Sequence, residues 1–284
     1  MASAKEIRGQ IKAIQNTGKI TKAMEMVAAS KMRKAQDRVV AARAYAEGIE
    51  QVVSNLMQAH PEYQHPFVTE RDEIKKVGAV VITTDKGLCG GLNTNGLKKA
   101  IGVLKEQTVD TEVYTIGRRA GTFLKRFTDI AGSVENVPDS PEIADILDVV
   151  SVAMDHYMKG DVDEVYLVYS EFENTMTQTP RAMRLLPCPI PEEAKHTGYW
   201  DYIYEPDSKE VMDGLLRRYV ESLVFHGLLE NKACEQSARM VAMKAATDNA
   251  GDIVKDLNRT YNKARQAAIT QELAEICAGA AAAG

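Results

Sequence analysis

The placement of proline constrains the fold of this 284-residue chain more than any other feature. All nine prolines lie between Pro61 and Pro206, so the first 60 and the last 78 residues contain none. Inside a helix, proline removes a hydrogen-bond donor and clashes with the preceding turn, at a cost of about 3 kcal/mol. The proline-free ends therefore predict two long helices, about 85 Å and about 110 Å at the rise of an α-helix, on either side of a compact insert.

Apolar and small residues recur along the N-terminal segment at alternating spacings of four and three. They are Ile7, Ile11, Ile14, Gly18, Met24, Ala28, Met32, Ala35, Val39, Ala42, Ala46, Ile49, Val53 and Leu56. This spacing is typical of a coiled-coil seam, which needs a partner helix to be stable in water. The interruption around Gly18–Thr21 predicts a local bend or a shift of register.

The C-terminal segment has similar spacing and supplies that partner. Its predicted seam consists of Cys234, Ala238, Val241, Ala245, Ile253, Leu257, Tyr261, Ala264 and Ala268. Because the insert joins the two helices at one end, we expect residues 1–58 and 208–284 to pair antiparallel as a shaft. The C-terminal helix is longer by roughly 17 residues, so about 25 Å of it would extend beyond its partner.

The middle of the chain has the pattern of an α/β domain over residues 75–206. The predicted strands are Val77–Thr83, Glu112–Ile116 and Glu164–Tyr169, with Arg184–Leu186 as an edge strand before Pro187. The predicted helices are Leu92–Lys105, one from Arg118, and one from Pro141 to about Tyr157. Alternating strands and helices favour a doubly wound, mostly parallel sheet. The predicted fold class is therefore a long antiparallel coiled coil whose two helices flank an inserted α/β domain.

Charge is unevenly spread along the chain, whose net value is −5. Residues 1–58 carry a balance of +5, residues 59–207 one of −10, and residues 208–284 one of zero. This asymmetry indicates partners of different sign at the two ends of the molecule. On charge alone, a solvated helix face is the simpler explanation.

Cysteine usage and hydropathy indicate the compartment. The four cysteines, Cys89, Cys188, Cys234 and Cys277, have neither CxxC spacing nor nearby histidine ligands, so a reduced, cytosolic protein is expected. The N-terminus lacks an apolar signal core, and no run approaches the ~20 apolar residues needed to cross a bilayer. We therefore expect a soluble chain without direct membrane insertion.

A glycine-rich turn, Thr84–Asn93, is the strongest candidate for chemistry. It lies between a strand and a helix, where backbone N–H groups can bind phosphate, but it matches neither GxxxxGK[ST] nor GxGxxG. A tight turn with close helix packing explains Gly87, Gly90 and Gly91 better. Cys89 lies near Lys86 but has no paired histidine to act as a base, and the five histidines are scattered, as is typical of surface or loop positions. The sequence thus predicts no catalytic residue, cofactor or metal.

Three long motifs, in order, carry a family resemblance. Ile20–Val27, Asp85–Asn93 and Arg265–Leu273 resemble the gamma subunit of F-type ATP synthase. Two further segments, Trp200–Asp207 and Met240–Asn249, extend the resemblance over essentially the whole chain.

The resemblance implies a rotor shaft that does no bond chemistry. The helical pair would turn inside a ring of three alpha and three beta subunits, and the α/β domain would form a foot beside the epsilon subunit and the c-ring. Rotation would set which beta site is open, loose or tight. It implies no nucleic acid and no homo-oligomer. Because no organelle-targeting extension is seen, it favours the cytoplasmic face of a bacterial inner membrane. The inserted dithiol of photosynthetic members is not seen, so redox gating is not expected.

The resemblance also implies roles for individual residues. Those matching positions at the catch loops of beta are Arg265, Gln266, Thr270 and Glu272. Those matching positions near the acidic lever region of beta are Lys22, Met24, Glu25, Lys86 and Cys89, the last expected to be exposed. Those matching the contact with epsilon and the c-ring are Tyr202, Tyr204 and Glu205.

Two other readings stay open from the residues alone. A coiled-coil scaffold or signalling protein with an α/β sensor domain would share the long helices but predicts a stable homodimer. A nucleotide-binding enzyme using Gly87–Gly91 predicts micromolar nucleotide binding by the isolated chain, and the missing phosphate-binding lysine signature argues against it.

Overall fold

The computed structural model of this chain describes residues 4–59, 65–107, 109–189 and 208–283. Its helices are α1 (Ala4–Ala59), α2 (Leu92–Glu106), α3 (Arg118–Leu124), α4 (Leu147–Lys159) and α5 (Ser208–Ala283). Its strands are β1 (Lys76–Ile82), β2 (Asp110–Ile116), β3 (Ile130–Val134), β4 (Glu164–Phe172) and β5 (Gln178–Leu186). The predicted fold class, long terminal helices with an inserted α/β domain, is confirmed.

The chain divides into two compact units, and α1 and α5 each contribute to both. The first unit is Met1–Ala28 with Met240–Gly284, and the second is Ala29–Arg239. These boundaries differ from the predicted domains 1–58, 75–206 and 208–284, which stay a prediction.

In the first unit, α1 and α5 pack as an antiparallel pair. The Thr21 hydroxyl of α1 contacts the Thr247 hydroxyl of α5. One turn earlier along α1, Gly18 lies next to Ala250, which is one turn later along α5, so the two helices run in opposite directions. Helix α1 runs without interruption through this region, and Thr21 is buried on the same face as Ile7, Ile11 and Ala28. The register shift expected at Gly18–Thr21 therefore does not occur, because a threonine occupies the seam position.

The seam of α5 in this unit differs from the prediction. The buried and half-buried positions are Met240, Val241, Ala242, Met243, Ala246, Thr247, Ala250, Val254, Leu257, Tyr261 and Ala264. Of the predicted seam, Val241, Leu257, Tyr261 and Ala264 are among them. The predicted seam residues Ala245, Ile253 and Ala268 are exposed. The predicted spacing was counted onward from Cys234 and Ala238, which pack against Cys89 and Leu92 of the second unit and not on a helix seam.

The second unit contains a five-stranded sheet in the order β3-β2-β1-β4-β5. The first four strands are parallel, and β5 lies antiparallel at the edge, as predicted for the segment before Pro187. Strand β3 was missed by sequence reasoning, because Gly132 and Ser133 have little strand propensity and only alternate residues of this strand are half-buried. The helix predicted from Pro141 begins only at Leu147, after a short 3-10 turn at Ile143–Asp145.

Helices cover both faces of the sheet. On one face, α2 and α3 pack Leu97, Ala100 and Leu124 against Ala79 and Val81 of β1. The other face carries α4 and parts of α1 and α5, and its cluster contains Val80, Ile82, Met154, Leu216 and Val220. Consecutive residues of β1 are thus buried in opposite layers, as expected for a strand at the centre of a doubly wound sheet.

Candidate partner interfaces

The C-terminal end of α5 is exposed within the first unit. The antiparallel register set by Thr21 and Thr247 brings Ala4, where α1 begins, opposite Ala264. All residues from 265 to 278 are exposed, including the predicted catch-loop contacts. This part of α5 can therefore offer its whole circumference to a partner.

The four predicted catch-loop contacts do not form one cluster. Arg265 and Glu272 are seven residues apart and lie on one side of α5, whereas Gln266 and Thr270 are four apart and lie on another. The Thr270 hydroxyl donates to the backbone carbonyl oxygen of Gln266 at 2.9 Å. The two faces are roughly 120° apart around the helix, so a single flat partner surface cannot contact all four side chains at once.

Two of the predicted lever contacts on α1 are already paired with each other. Lys22 Nζ lies 3.0 Å from Glu25 Oε1, one helical turn away, and Met24 is half-buried. The Lys22 side chain is 56 % exposed, so this ion pair contributes little to stability. A carboxylate of a partner could therefore replace Glu25 as the ion-pair partner of Lys22 at a small cost in free energy.

The turn after β1 is held by side-chain hydrogen bonds. The Thr84 N–H donates to Asn93 Oδ1 at 3.1 Å, and Asn93 Nδ2 donates to the Thr84 hydroxyl at 2.8 Å and to Cys89 Sγ at 3.2 Å. Arg239 of α5 donates to the Gly87 carbonyl oxygen at 3.1 Å. Gly90 has φ +57°, a left-handed conformation that favours glycine. The tight-turn interpretation of the glycines is the one this geometry supports.

The expectation that Cys89 is exposed is wrong. Its side chain is buried against Leu92, Cys234 and Ala238, and burial raises the pKa of the thiol. Lys86, three residues earlier, is exposed and forms no ion pair with any residue that the structure describes. On this turn, Lys86 is the group able to contact a partner, and Cys89 anchors the turn from below.

Helix α5 lies where a doubly wound fold would bind a nucleotide. In such sheets, ligands bind outside the carboxyl ends of the strands where the strand order reverses, here between β1 and β4. A Cβ on Gly227 would lie 3.5 Å from Ile82 Cδ1 and 3.3 Å from Tyr169 Cγ. Cys234 Sγ donates to the Ser170 carbonyl oxygen at 3.3 Å. The helix of the chain itself fills this crevice, which argues against the nucleotide-binding interpretation.

Two histidines have partners that the sequence did not indicate. His156 Nδ1 lies 2.6 Å from Glu112 Oε1, which also accepts a hydrogen bond from the Tyr114 hydroxyl at 2.9 Å. His65 is buried, and its Nδ1 accepts a hydrogen bond from the Phe67 N–H at 3.0 Å. His65 does lie in a loop, as expected, although it is buried, and the His156 side chain is 30 % exposed on α4. Their partners lie on distant or locally folded segments, which no spacing rule identifies.

The remaining predictions concern the contact with epsilon and the c-ring, metal binding and membrane insertion. Tyr202, Tyr204 and Glu205 fall in 190–207, outside the described residues. Within the described ranges, no group of three His, Cys, Asp or Glu side chains is arranged to hold a metal ion. In the same ranges, no helix is long and apolar enough to span a membrane.

Comparison with known proteins identifies the family. The sequence matches the family described as ATP synthase over residues 3–283. It is 54 % identical to the ATP synthase gamma chain of Nitrosococcus oceani, over 99 % of this chain and 100 % of that one. It is 53 % identical to the gamma chain of Thiobacillus denitrificans at the same coverage.

Solved structures agree with the sequence comparison. A chain of the Tetrahymena thermophila mitochondrial ATP synthase central stalk and c-ring has a TM-score of 0.62 at 26 % identity, covering 80 % of this chain and 99 % of that one. A chain of the Euglena gracilis mitochondrial ATP synthase shares the fold, with a TM-score of 0.67 at 17 % identity over 98 % and 94 %. This chain therefore belongs to the ATP synthase gamma-chain family, the central-stalk subunit of that enzyme complex.

Proposed function

We propose that this chain is the central rotor shaft of a proton-translocating F-type ATP synthase. In this role it couples rotation of the c-ring to conformational change at the catalytic sites of beta and performs no bond chemistry itself. The observation that carries the proposal is the exposed end of α5 beyond Ala264, in a chain 54 % identical over its length to an ATP synthase gamma chain. A helix that leaves its partner and exposes side chains on all sides, both polar ones and the apolar Ile269, Leu273 and Ile276, is suited to turn inside a ring.

The coupling would arise from the asymmetry of the shaft. A partner can shift a conformational equilibrium only by contacting one state better than another. Arg265 and Glu272 face one direction and Gln266 and Thr270 another, so each beta subunit would meet a different pair at each angle. Arg265 can bind an acidic catch loop through two parallel hydrogen bonds, which lysine cannot do. Rotation would thereby favour one beta conformation after another.

The turn and α1 would contact the acidic lever region of beta. Lys86 is exposed on the turn, and Lys22 is exposed on α1. Each is a point charge able to attract a carboxylate. Met24 and Glu25 would support the contact from α1, and buried Cys89 would act by fixing the turn.

The remaining partners follow from the same role. We infer contacts with three alpha and three beta subunits, with the epsilon subunit and with the c-ring, the last two through Tyr202, Tyr204 and Glu205. No nucleic acid and no second copy of this chain is expected. The bacterial origin of the similar gamma chains supports a peripheral position at the cytoplasmic face of the inner membrane.

Reconstitution tests the proposal directly. Purified alpha and beta subunits are assayed for ATP hydrolysis with this chain, without it, and with the chain alone. We expect strong hydrolysis only when all three are present. No effect on assembly or turnover, together with a homodimer by light scattering, would instead support the scaffold interpretation.

A further inference from the structure

A groove runs between α2 and α3 on the face of the second unit that carries these two helices. It has a volume of about 350 Å³, and one wall is the turn from Gly87 to Gly90. Thr94 and Leu97 line it from α2, and Phe123 lines it from α3. Leu97 is buried, so the floor of the groove is apolar.

Two cations line this groove, and two more lie beside it on the exposed surface of α2. Arg119 and Arg126 line it directly. Lys98 lies one helical turn beyond Thr94 on α2, and Lys105 follows seven residues later, about 10 Å along the helix. All four are exposed, and none forms an ion pair or a side-chain hydrogen bond with any residue that the structure describes. Unpaired positive charge therefore lines the α3 side of the groove and is also present on the exposed surface of α2 beside it.

This arrangement contrasts with its surroundings. Residues 59–207 carry a net charge of −10, so acidic side chains for pairing are abundant in this part of the sequence. Arg118, the neighbour of Arg119, pairs with Glu135 at 3.1 Å and bonds to Asn136. The Arg119 guanidinium instead lies over Gly87, where a Cβ would come within 2.8 Å of Nη2.

An exposed aromatic side chain lies next to the groove, beside the lining residue Phe123. Phe127 is 64 % exposed, and its ring centroid lies 5.3 Å from that of Phe123. Leu88, on the opposite wall, is 61 % exposed. Large apolar side chains next to unpaired cations are typical of a protein-binding surface, where apolar anchors are surrounded by a charged rim.

We propose that the groove between α2 and α3 binds an acidic amphipathic segment of a partner protein. Carboxylates of that segment pair with Arg119 and Arg126 on one side and with Lys98 and Lys105 on the other. An apolar side chain between the carboxylates packs on Leu97 and Phe123. The two-turn spacing of Lys98 and Lys105 matches carboxylates seven residues apart on a helix. The apolar floor favours a polypeptide over a nucleic acid or a lipid surface.

The inference rests on the proposed function only through the turn, which would also contact beta. Arg119 and Arg126 have no part in that earlier proposal. The two can therefore fail separately. Hydrolysis that depends on this chain, combined with no binding at the groove, would overturn the present inference alone. Binding at the groove by a chain that does not activate alpha and beta would overturn the proposed function alone.

The test uses the full-length chain and a fluorescent 21-residue helical peptide with glutamates seven residues apart and leucines between them. We expect saturable binding by fluorescence anisotropy that weakens as salt is added. The double variant Arg119→Glu with Arg126→Glu should weaken binding at least tenfold. The matched variant Lys34→Glu with Lys159→Glu makes the same change of net charge at two other exposed, unpaired lysines and should change binding less than twofold.

Three further measurements keep the result decisive. Hydrogen exchange should show slower exchange of α2 and α3 amides when the peptide is bound. The single variant Arg126→Glu, outside any helix or strand, guards against misfolding of the double variant and should weaken binding severalfold. A DNA duplex and vesicles containing phosphatidylglycerol serve as competing anions. The proposal would be overturned if both double variants lost peptide affinity equally, or if the peptide slowed amide exchange in elements other than α2 and α3. Tighter binding of the DNA duplex or of the vesicles than of the peptide would also overturn it.

Discussion

Thr21 Oγ1 lies 2.7 Å from Thr247 Oγ1 and joins α1 to α5 in the first unit. Each hydroxyl also reaches a carbonyl of its own helix, Thr21 that of Gly18 at 3.0 Å and Thr247 that of Met243 at 2.8 Å. A hydroxyl carries one proton, so one threonine bonds to its own backbone while the other donates across the interface. In a seam of small apolar residues, such a polar pair fixes the register.

Replacing one member of this pair should cost more than replacing both. In Thr21→Val, the Thr247 hydroxyl loses its partner across the seam, and we expect a loss of about 1 kcal/mol in the free energy of unfolding. The double variant with Thr247→Val replaces the pair by two apolar groups of the same shape and should be nearly neutral. Hydrogen exchange of amides near residue 21, with urea unfolding, measures both. Additive losses would contradict the coupling.

Two glycines of α5 should respond to alanine in opposite directions. At Gly227 a Cβ would lie 3.3 Å from both Leu167 Cδ2 and Tyr169 Cγ, so Gly227→Ala should destabilise the chain by about 1 to 3 kcal/mol through overpacking. At exposed Gly214 a Cβ meets nothing within 4 Å, so Gly214→Ala should stabilise by about 0.5 to 1 kcal/mol through helix propensity. Thermal unfolding followed by circular dichroism compares the two. A stabilising Gly227→Ala would show that α5 does not pack closely on the sheet.

Thiol labelling should show one fast cysteine and three slow ones. Cys277 is exposed, whereas Cys89, Cys188 and Cys234 are buried. Burial raises the pKa of Cys188 to about 12 and also raises those of Cys89 and Cys234, so little reactive thiolate forms near pH 8. We expect a maleimide to react with the buried thiols at least about tenfold more slowly. The fast phase should vanish in Cys277→Ser, and rapid labelling of Cys89 in the native chain would contradict its burial.

The sequence was sufficient where a local rule decides the structure. Proline is excluded from helix interiors by its own chemistry, so its distribution located α1 and α5. Alternation of apolar segments with turns located β1, β2, β4 and the helices between them. Pro187 correctly marked the preceding segment as an edge strand.

The sequence alone was insufficient where contacts between residues far apart in the chain determine the structure. Cys89 is buried by Cys234, and its turn is held by Arg239, 152 residues after Gly87. No spacing within the turn reveals those partners. The seam of α5 was misassigned at Ala245 because it was counted from Cys234 and Ala238, which pack against Cys89 and Leu92. In this stretch of α5, Leu229 and Ala233 are the residues that pack on Ala35 and Val39 of α1.

Asp163 should make the free energy of unfolding depend on pH in the acid range. Burial would raise the pKa of this carboxyl, but hydrogen bonds from the Lys75 N–H at 2.7 Å, from Arg71 and from the Lys76 N–H outweigh it and hold the pKa below its usual value. A lowered pKa in the folded state contributes stability above the unfolded value of about 3.9, and this contribution is lost as pH falls through the folded pKa.

Asp163→Asn should therefore destabilise the chain by about 2 kcal/mol at pH 7. The difference from the wild type should shrink steadily below about pH 3.9. Urea unfolding across this pH range measures the difference. Exposed Asp155→Asn is the control, since its Arg217 contact is long at 3.9 Å. A difference that persists unchanged at low pH would show that the effect of Asp163→Asn is one of packing and not of charge.

The exposed end of α5 carries the prediction that bears most directly on function. Arg265→Ala should lower the ATPase rate of the reconstituted complex about tenfold, since a hydrogen-bonded charge pair with beta would be lost. The ATPase rate with Arg265→Lys should lie between those of the wild type and Arg265→Ala, because lysine keeps the charge but not the paired hydrogen bonds. Gln266→Ala should have a smaller effect in the same direction. The isolated chain should unfold as the wild type does, because both side chains are exposed.

Matched controls on the same helix separate contact from charge. Lys263→Ala removes an exposed cation two residues before Arg265, and Gln271→Ala removes an exposed amide five residues after Gln266. Both should leave turnover within about twofold, because the proposal assigns neither side chain a contact with beta. Wild-type turnover in Arg265→Ala, or an equal loss in Lys263→Ala, would remove the assigned role of Arg265. The proposal would then have to locate the asymmetry of the shaft elsewhere on α5, and Glu272 on the Arg265 face and Thr270 on the Gln266 face would be the next residues to replace.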